Sequence, residues 1–152
     1  MEQIFRVSVE RCIACGKCEL ACAFSHGQDS LPAASRIRVV RQGPERGIPL
    51  TCLQCHDAAC VAVCPMTALS RDPQSGAVTL SETRCVRCGL CVAACPFGNM
   101  LPEEGGRVAK CDLCGGAPRC VPFCPTGALE FLPAELALRG PDTCRPQDTP
   151  LA

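Results

Sequence analysis

Apolar and polar residues alternate along this chain only in short bursts, too short for a long helix or a broad sheet. Residues 4–9 (Ile-Phe-Arg-Val-Ser-Val) alternate in part and predict a strand. Residues 19–25 suit a helical turn or two, and residues 37–41 predict a second strand. Gly43-Pro44 and Gly47-Ile48-Pro49 read as a rigid connection. Residues 57–63 predict a short helix with Asp57 near its N-terminus. The turn signal Asp72-Pro73-Gln74-Ser75-Gly76 separates residues 68–71 from 77–80 and predicts a hairpin. Residues 102–106 are a loop, residues 128–132 a closing strand and residues 134–138 a short helix. From Gly140 the chain is rich in Pro, Asp and Thr, as in a tail that is mobile or draped on a partner.

Composition explains why the bursts are short. The chain has 152 residues, enough for one compact domain or two very small ones. Seventeen of them are Cys, so the 47% apolar content drops to about 36% once Cys is set aside. There are five Phe, no Trp and no Tyr. Little ordinary core can form, and another source of cohesion is needed. Thiolate-bound metal supplies it, because site formation is then part of folding. Disulfides are disfavoured by the odd Cys count, the tight C-x2-C spacing and an N-terminus without an apolar signal segment. No apolar run reaches membrane-spanning length, so the expected location is the cytoplasm; export would need a signal on a partner.

The chemistry lies in four Cys runs. The clearest is Cys85-x2-Cys88-x2-Cys91-x3-Cys95-Pro96, the run with which bacterial ferredoxins hold iron–sulfur clusters. The others are Cys12, Cys15, Cys18, Cys22; Cys52, Cys55, Cys60, Cys64-Pro65; and Cys111, Cys114, Cys120, Cys124-Pro125. Three thiols on a tight loop can reach three corners of a cubane while loop N–H groups face its sulfurs. Gly16, Gly89 and Gly115 follow the second Cys, where a positive φ or a close approach would exclude a side chain. Pro after the distal Cys fixes φ and can end the preceding turn; the first run has Ala23 there instead. The fourth corner would come from another run and staple distant segments together. Spacing alone permits first-with-second pairing as well as nesting, with end strands able to pair across an outer unit. Zinc is the competing metal, but three-Cys runs with a distal Cys-Pro favour iron–sulfur, and sixteen Cys fill four cubanes without remainder.

Four such cubanes would each bring about −2 with their thiolates, turning the formal net charge of zero into about −8. Arg11, Lys17, Arg84 and Arg87, beside the runs, then read as counter-charges, and nucleic-acid binding is disfavoured. Cys144 has no C-x2-C partner and reads as a spare thiol. His26 and His56 read as hydrogen-bond partners of the ligands or as plain surface. Glu10, Glu19 and Asp57 form no acid–base constellation, and no nucleophile–base pair or phosphate loop occurs, so no catalytic residue is assigned.

The phrases Cys64-Pro65-x-Thr67-Ala68, Lys110-Cys111-Asp112-Leu113-Cys114 and Cys124-Pro125-Thr126-Gly127-Ala128 carry a family resemblance over about residues 4–132. The chain resembles the four-cluster [4Fe–4S] electron-transfer subunits of dimethyl sulfoxide reductase, formate dehydrogenase, formate hydrogenlyase, carbon monoxide dehydrogenase and tungsten aldehyde oxidoreductase systems. The resemblance implies a nested pairing. One cluster would take Cys12, Cys15, Cys18 and Cys124, and a second Cys111, Cys114, Cys120 and Cys22. A third would take Cys52, Cys55, Cys60 and Cys95, and the last Cys85, Cys88, Cys91 and Cys64. The expected fold is α+β: residues 1–50 and 100–139 form an outer ferredoxin-like unit, 51–99 an inserted inner unit and 140–152 a tail. The implied role is a non-catalytic subunit that relays single electrons between a catalytic oxidoreductase subunit and a second redox protein or flavoprotein. The compact chain favours a soluble catalytic partner of the aldehyde oxidoreductase or carbon monoxide dehydrogenase sort. A free polyferredoxin is the alternative, and a cluster-switched sensor a third reading. The long third gaps at Gln54–Cys60 and Gly115–Cys120 are candidate contact loops, and complementary ends could join copies head to tail.

Overall fold

The computed structural model describes residues 3–27 and 31–137. Cys144 and the tail lie outside the described residues. Within them the chain is a small α+β protein whose strands form antiparallel pairs. Strand β1 (Gln3–Val7) pairs with β8 (Leu129–Pro133), joining the two ends of the described chain. Strand β2 (Arg38–Arg41) pairs with β3 (Gly47–Leu50), β4 (Leu69–Arg71) with β5 (Val78–Leu80), and β6 (Leu101–Pro102) with β7 (Val108–Ala109). The helices are α1 (Lys17–Ser25), α2 (Ala59–Ala62), α3 (Leu90–Ala94) and α4 (Ala134–Ala137). No helix among the described residues is long and apolar enough to cross a membrane.

The strand expected at the N-terminus ends at Val7 and gives way to a 3-10 turn over Val9–Arg11. The hairpin expected around residues 72–76 is present as β4 and β5. Gly47-Ile48-Pro49, expected as connection, is instead β3, with Pro49 opposite Val39. A two-stranded ribbon consists only of edges, so a Pro without an N–H can sit there. The short helix expected from Asp57 starts at Ala59, with Ala58 at its N-cap. Asp57 pairs with neighbouring His56 in solvent and caps nothing.

Two strand pairs obey one rule. β1 enters the first Cys run and pairs with β8, which follows Cys124-Pro125. β5 enters the third run and pairs with β4, which follows Cys64-Pro65. Each pair is extended by the same bond: Ser8 N–H donates to Ala128 O at 2.8 Å, and Ser81 N–H to Ala68 O at 2.8 Å. Ala68, Leu69, Ala128 and Leu129 are all buried, which gives the repeated phrase Cys-Pro-x-x-Ala-Leu its packing role.

The apolar core is split and partly made of Cys. One cluster combines Ile37, Val39 and Leu129 with Cys18, Cys22 and Cys120. The other combines Leu69, Val78 and Met100, with Cys60, Cys64, Cys91 and Cys95 packed against it.

Candidate metal centres

Strand pairing determines which thiols meet. The β1–β8 pair carries Cys124 to the first run, and one cavity is lined by Cys12, Cys15, Cys18 and Cys124. The β4–β5 pair carries Cys64 to the third run, and a second cavity is lined by Cys64, Cys85, Cys88 and Cys91. A third cavity is lined by Cys52, Cys55, Cys60 and Cys95. Of the remaining four thiols, Cys22 and Cys120 are buried and Cys111 and Cys114 partly so. Burial, then the charges of Cys111, Cys22 and Cys114, push the Cys120 thiol up to about 12. Burial, then Asp112 and Cys22, likewise raise Cys114.

The loops around these thiols share one backbone signature. Ala14, Gln54, Arg87 and Leu113, each just before the second Cys of a run, have φ of 56°, 51°, 60° and 53°. Thr67, Gly98 and Gly127, each three residues after the distal Cys of a run, have φ of 46°, 62° and 63°. Alternation of left- and right-handed residues turns successive N–H groups inward and forms an anion-binding nest. Cys22, which lacks the Pro, sits instead in α1, where the helix continues to Ser25. Its sulfur accepts from Arg36 N–H at 3.2 Å. Cys64 Sγ accepts from Ala68 N–H at 3.3 Å and Cys124 Sγ from Ala128 N–H at 3.2 Å. Against the opposing effect of burial, these and neighbouring N–H groups hold the Cys64 and Cys124 thiols below their usual range.

The loop thiols move the other way. Burial, then Glu19, pushes Cys18 up to about 11; burial also raises Cys60, Cys91 and Cys111, with neighbouring thiolates adding to it. Four thiols around one cavity cannot all ionise without positive charge between them. The iron of a bound cluster would supply that charge, with the thiols held as thiolates. Four-thiol sets, inward N–H groups and apolar walls therefore fit a [4Fe–4S] group. Gly47 shows how close the wall comes: a Cβ there would lie 3.2 Å from Cys12 Sγ and 2.6 Å from Val39 Cγ1.

Several residues near the thiols had no role legible in the sequence. Lys110 is buried, and its ammonium donates to Cys52 Sγ. Gln54 joins Cys111 O to Val78 N–H. Arg36 pairs with Asp112 at 2.8 Å, and Asp112 accepts from Cys114 N–H at 2.9 Å. The sequence signal for Lys110 is only its place immediately before Cys111. Of the two histidines, His26 Nε2 lies 3.7 Å from Cys114 Sγ, whereas His56 is fully in solvent. His26, Asp112 and Cys114 also lie close enough together to suggest an ion site, but Cys114 belongs to a thiol set already described.

A family model described as a 4Fe-4S dicluster domain matches residues 46–133, and one described as a 4Fe-4S binding domain matches residues 9–25. The chain is 45% identical over 120 residues to the aliphatic sulfonate oxidoreductase, polyferredoxin-like subunit of Pyrococcus furiosus, covering 78% of this chain and 69% of that one. It is 38% identical over 152 residues to the putative electron transport protein YsaA of Escherichia coli, covering 91% and 95%. It is 45% identical over 127 residues to the NADH-dependent phenylglyoxylate dehydrogenase subunit beta of Aromatoleum evansii, covering 80% of this chain but only 28% of that subunit. With a dicluster model spanning more than half its length, the chain belongs to the 4Fe-4S dicluster domain family of iron–sulfur electron-transfer proteins.

Proposed function

We propose that this chain holds four [4Fe–4S] clusters in nested pairing and serves as a wire within an oxidoreductase complex. The observation that carries the reading is the grouping of the described cysteines: three cavities each lined by four thiols, and a fourth set whose thiols act on one another. The first outer set is Cys12, Cys15, Cys18 and Cys124, and the second outer set is Cys22, Cys111, Cys114 and Cys120. The first inner set is Cys52, Cys55, Cys60 and Cys95, and the second inner set is Cys64, Cys85, Cys88 and Cys91. Residues 1–50 and 100–139 then form the outer unit and 51–99 the inner one.

The mutual electrostatic influence and packing of the sets support one order. Cys18 of the first outer set acts on Cys120 of the second. Cys52 of the first inner set acts on Cys111 of the second outer set. Cys60 and Cys95 share a core cluster with Cys64 and Cys91. Exposure supports the same order: the exposed thiols among the described residues are Cys15 and Cys88, one in each end set. When bound, each cluster supplies a one-electron donor and acceptor. The chain's own residues hold it and leave one thiol of each end set, Cys15 and Cys88, exposed.

Two accessible ends call for two partners: a catalytic oxidoreductase subunit at one and a second redox protein or flavoprotein at the other. The names of the Pyrococcus and Aromatoleum relatives support the first. At the outer end Leu20, Phe24 and Phe123 are exposed beside Lys17 and Arg119, a surface suited to an apolar partner face with an acidic rim. Four clusters require about sixteen iron and sixteen sulfide per chain. Anaerobic iron and sulfide analysis tests the count, and size analysis with and without co-purifying proteins tests the complex. Zinc in place of iron, or half the iron, defeats the cluster reading. A fully active monomer that reduces its acceptor only by collision defeats the wire.

A further inference from the structure

Lys110 is 4% exposed, and a buried ammonium needs compensating hydrogen bonds or charge. Among the described residues its hydrogen-bond partners include no carboxylate. Nζ donates to Cys111 O at 2.8 Å, to Cys52 Sγ at 3.3 Å and to Gln54 Oε1 at 3.4 Å. Gln54 Nε2 in turn donates to Cys111 O at 2.9 Å. One buried cation thus touches both sides of the junction between the second outer set and the first inner set. Thr51 precedes Cys52 as Lys110 precedes Cys111, and both are buried. Lys110 also acts on Cys60 and on Cys111, one thiol from each set.

Such a cation needs an anion that no Asp or Glu among the described residues supplies. We propose that Lys110 is the shared counter-charge of the two middle clusters and raises both of their reduction potentials. Each one-electron reduction adds one negative charge to a cluster, and an ammonium at hydrogen-bond distance from a ligand sulfur stabilises the more negative form. Burial shields this effect from salt, unlike that of the exposed arginines.

This inference rests on the four-cluster reading. The wild-type iron count tests that reading alone: about sixteen iron per chain supports it, and half that overturns it whatever Lys110 does. The inference is tested with the full chain, loaded and purified anaerobically, as wild type, Lys110→Gln and Lys110→Arg. Each is titrated with dithionite while the reduced clusters are followed by low-temperature paramagnetic resonance. In Lys110→Gln, two of the four midpoint potentials should fall and two should stay; Lys110→Arg should restore them. Four unchanged potentials, four equal shifts, or an Arg variant no better than the Gln variant overturn the proposal. If Lys110→Gln fails to load fully, loss of about half its iron with full loading of Lys110→Arg supports the shared counter-charge. Iron loss in both variants shows that shape, not charge, matters there, and overturns it.

Discussion

Across the proposed outer unit, β1 and β8 pair over five residues, and Arg6 fastens them by donating to Glu130 at 2.7 Å. Arg36 ties the segment after α1 to Asp112, and Glu19 accepts from both Arg41 and Val39 N–H. In the proposed inner unit, β4 and β5 pair over only three residues. Its ion pair among the described residues, His56 with Asp57, joins chain neighbours almost wholly in solvent. The outer unit also buries Cys18, Cys22 and Cys120, whereas no inner-unit Cys is buried. Both units use the same loops and the same Cys-Pro-x-x-Ala-Leu phrase, so the difference lies in what surrounds the thiols. The outer unit has ion pairs that tie distant segments without a cluster; the inner unit relies on hydrogen bonds, from Arg71 to the carbonyls of Gly76 and residues 54–56 and from Val78 N–H to Gln54.

The largest effect should follow from removing the metal. Stripping iron with a chelator under reducing, anaerobic conditions should release the amide protons of β4 and β5 to rapid exchange, while those of β1 and β8 keep measurable protection. Equal loss of protection in both strand pairs, read by hydrogen exchange, would abolish the contrast.

Breaking one set is the next step down. Cys124→Ser and Cys64→Ser each remove the thiol that the strand pairing brings to a distant run. Each should cost about a quarter of the iron. Cys64→Ser should also loosen the β4–β5 hairpin, whereas Cys124→Ser leaves β1 and β8 tied by Arg6 and Glu130. If Cys64→Ser instead damaged the set containing Cys12, sequential pairing would replace nesting.

Smaller still are changes to the outer scaffold that leave every thiol in place. Gly47→Ala sets a methyl against Val39 and Cys12 Sγ. It should destabilise the fold by about 1–3 kcal/mol, as overpacking does, and lower the loading of the first outer set alone. Glu130→Gln leaves Arg6 with a neutral acceptor on a partly exposed surface and should cost about 1 kcal/mol. Denaturant unfolding of the loaded protein checks both, and iron content should drop only for Gly47→Ala.

Much of the proposed site was legible because clusters demand fixed local spacing. The runs around Cys85 and Cys111 name the candidate ligands, and the turn at residues 72–76 is written in Asp, Pro and Gly. What spacing left open was the proposed partner of each run, because that depends on which strands pair. The Ser8 and Ser81 bonds to Ala128 and Ala68 carry that information, and both are long-range backbone contacts that no local pattern encodes. Short elements were missed for a related reason. β6 and β7 are two residues each and exist through their pairing, not through alternation. Lys110 was hidden by its type: a Lys normally signals surface, and only the thiols of a distant run make its burial tolerable.

The smallest expected effect is none at all, and it tests the equality on which the comparison depends. The described cysteines number sixteen and divide evenly, eight in each unit. Cys144 is the seventeenth and lies outside the described residues. If the thiol sets are complete without it, Cys144→Ser should leave the iron content and the low-temperature spectrum of the reduced protein unchanged. A change confined to the outer unit's clusters would mean that the tail lends a thiol to one of those sets. One of Cys12, Cys15, Cys18, Cys22, Cys111, Cys114, Cys120 and Cys124 would then be spare, and the outer unit would owe its firmness partly to the tail. Iron analysis and the reduced spectrum, taken on wild type and variant prepared side by side, decide between a closed census of sixteen ligands and one that borrows from the C-terminus.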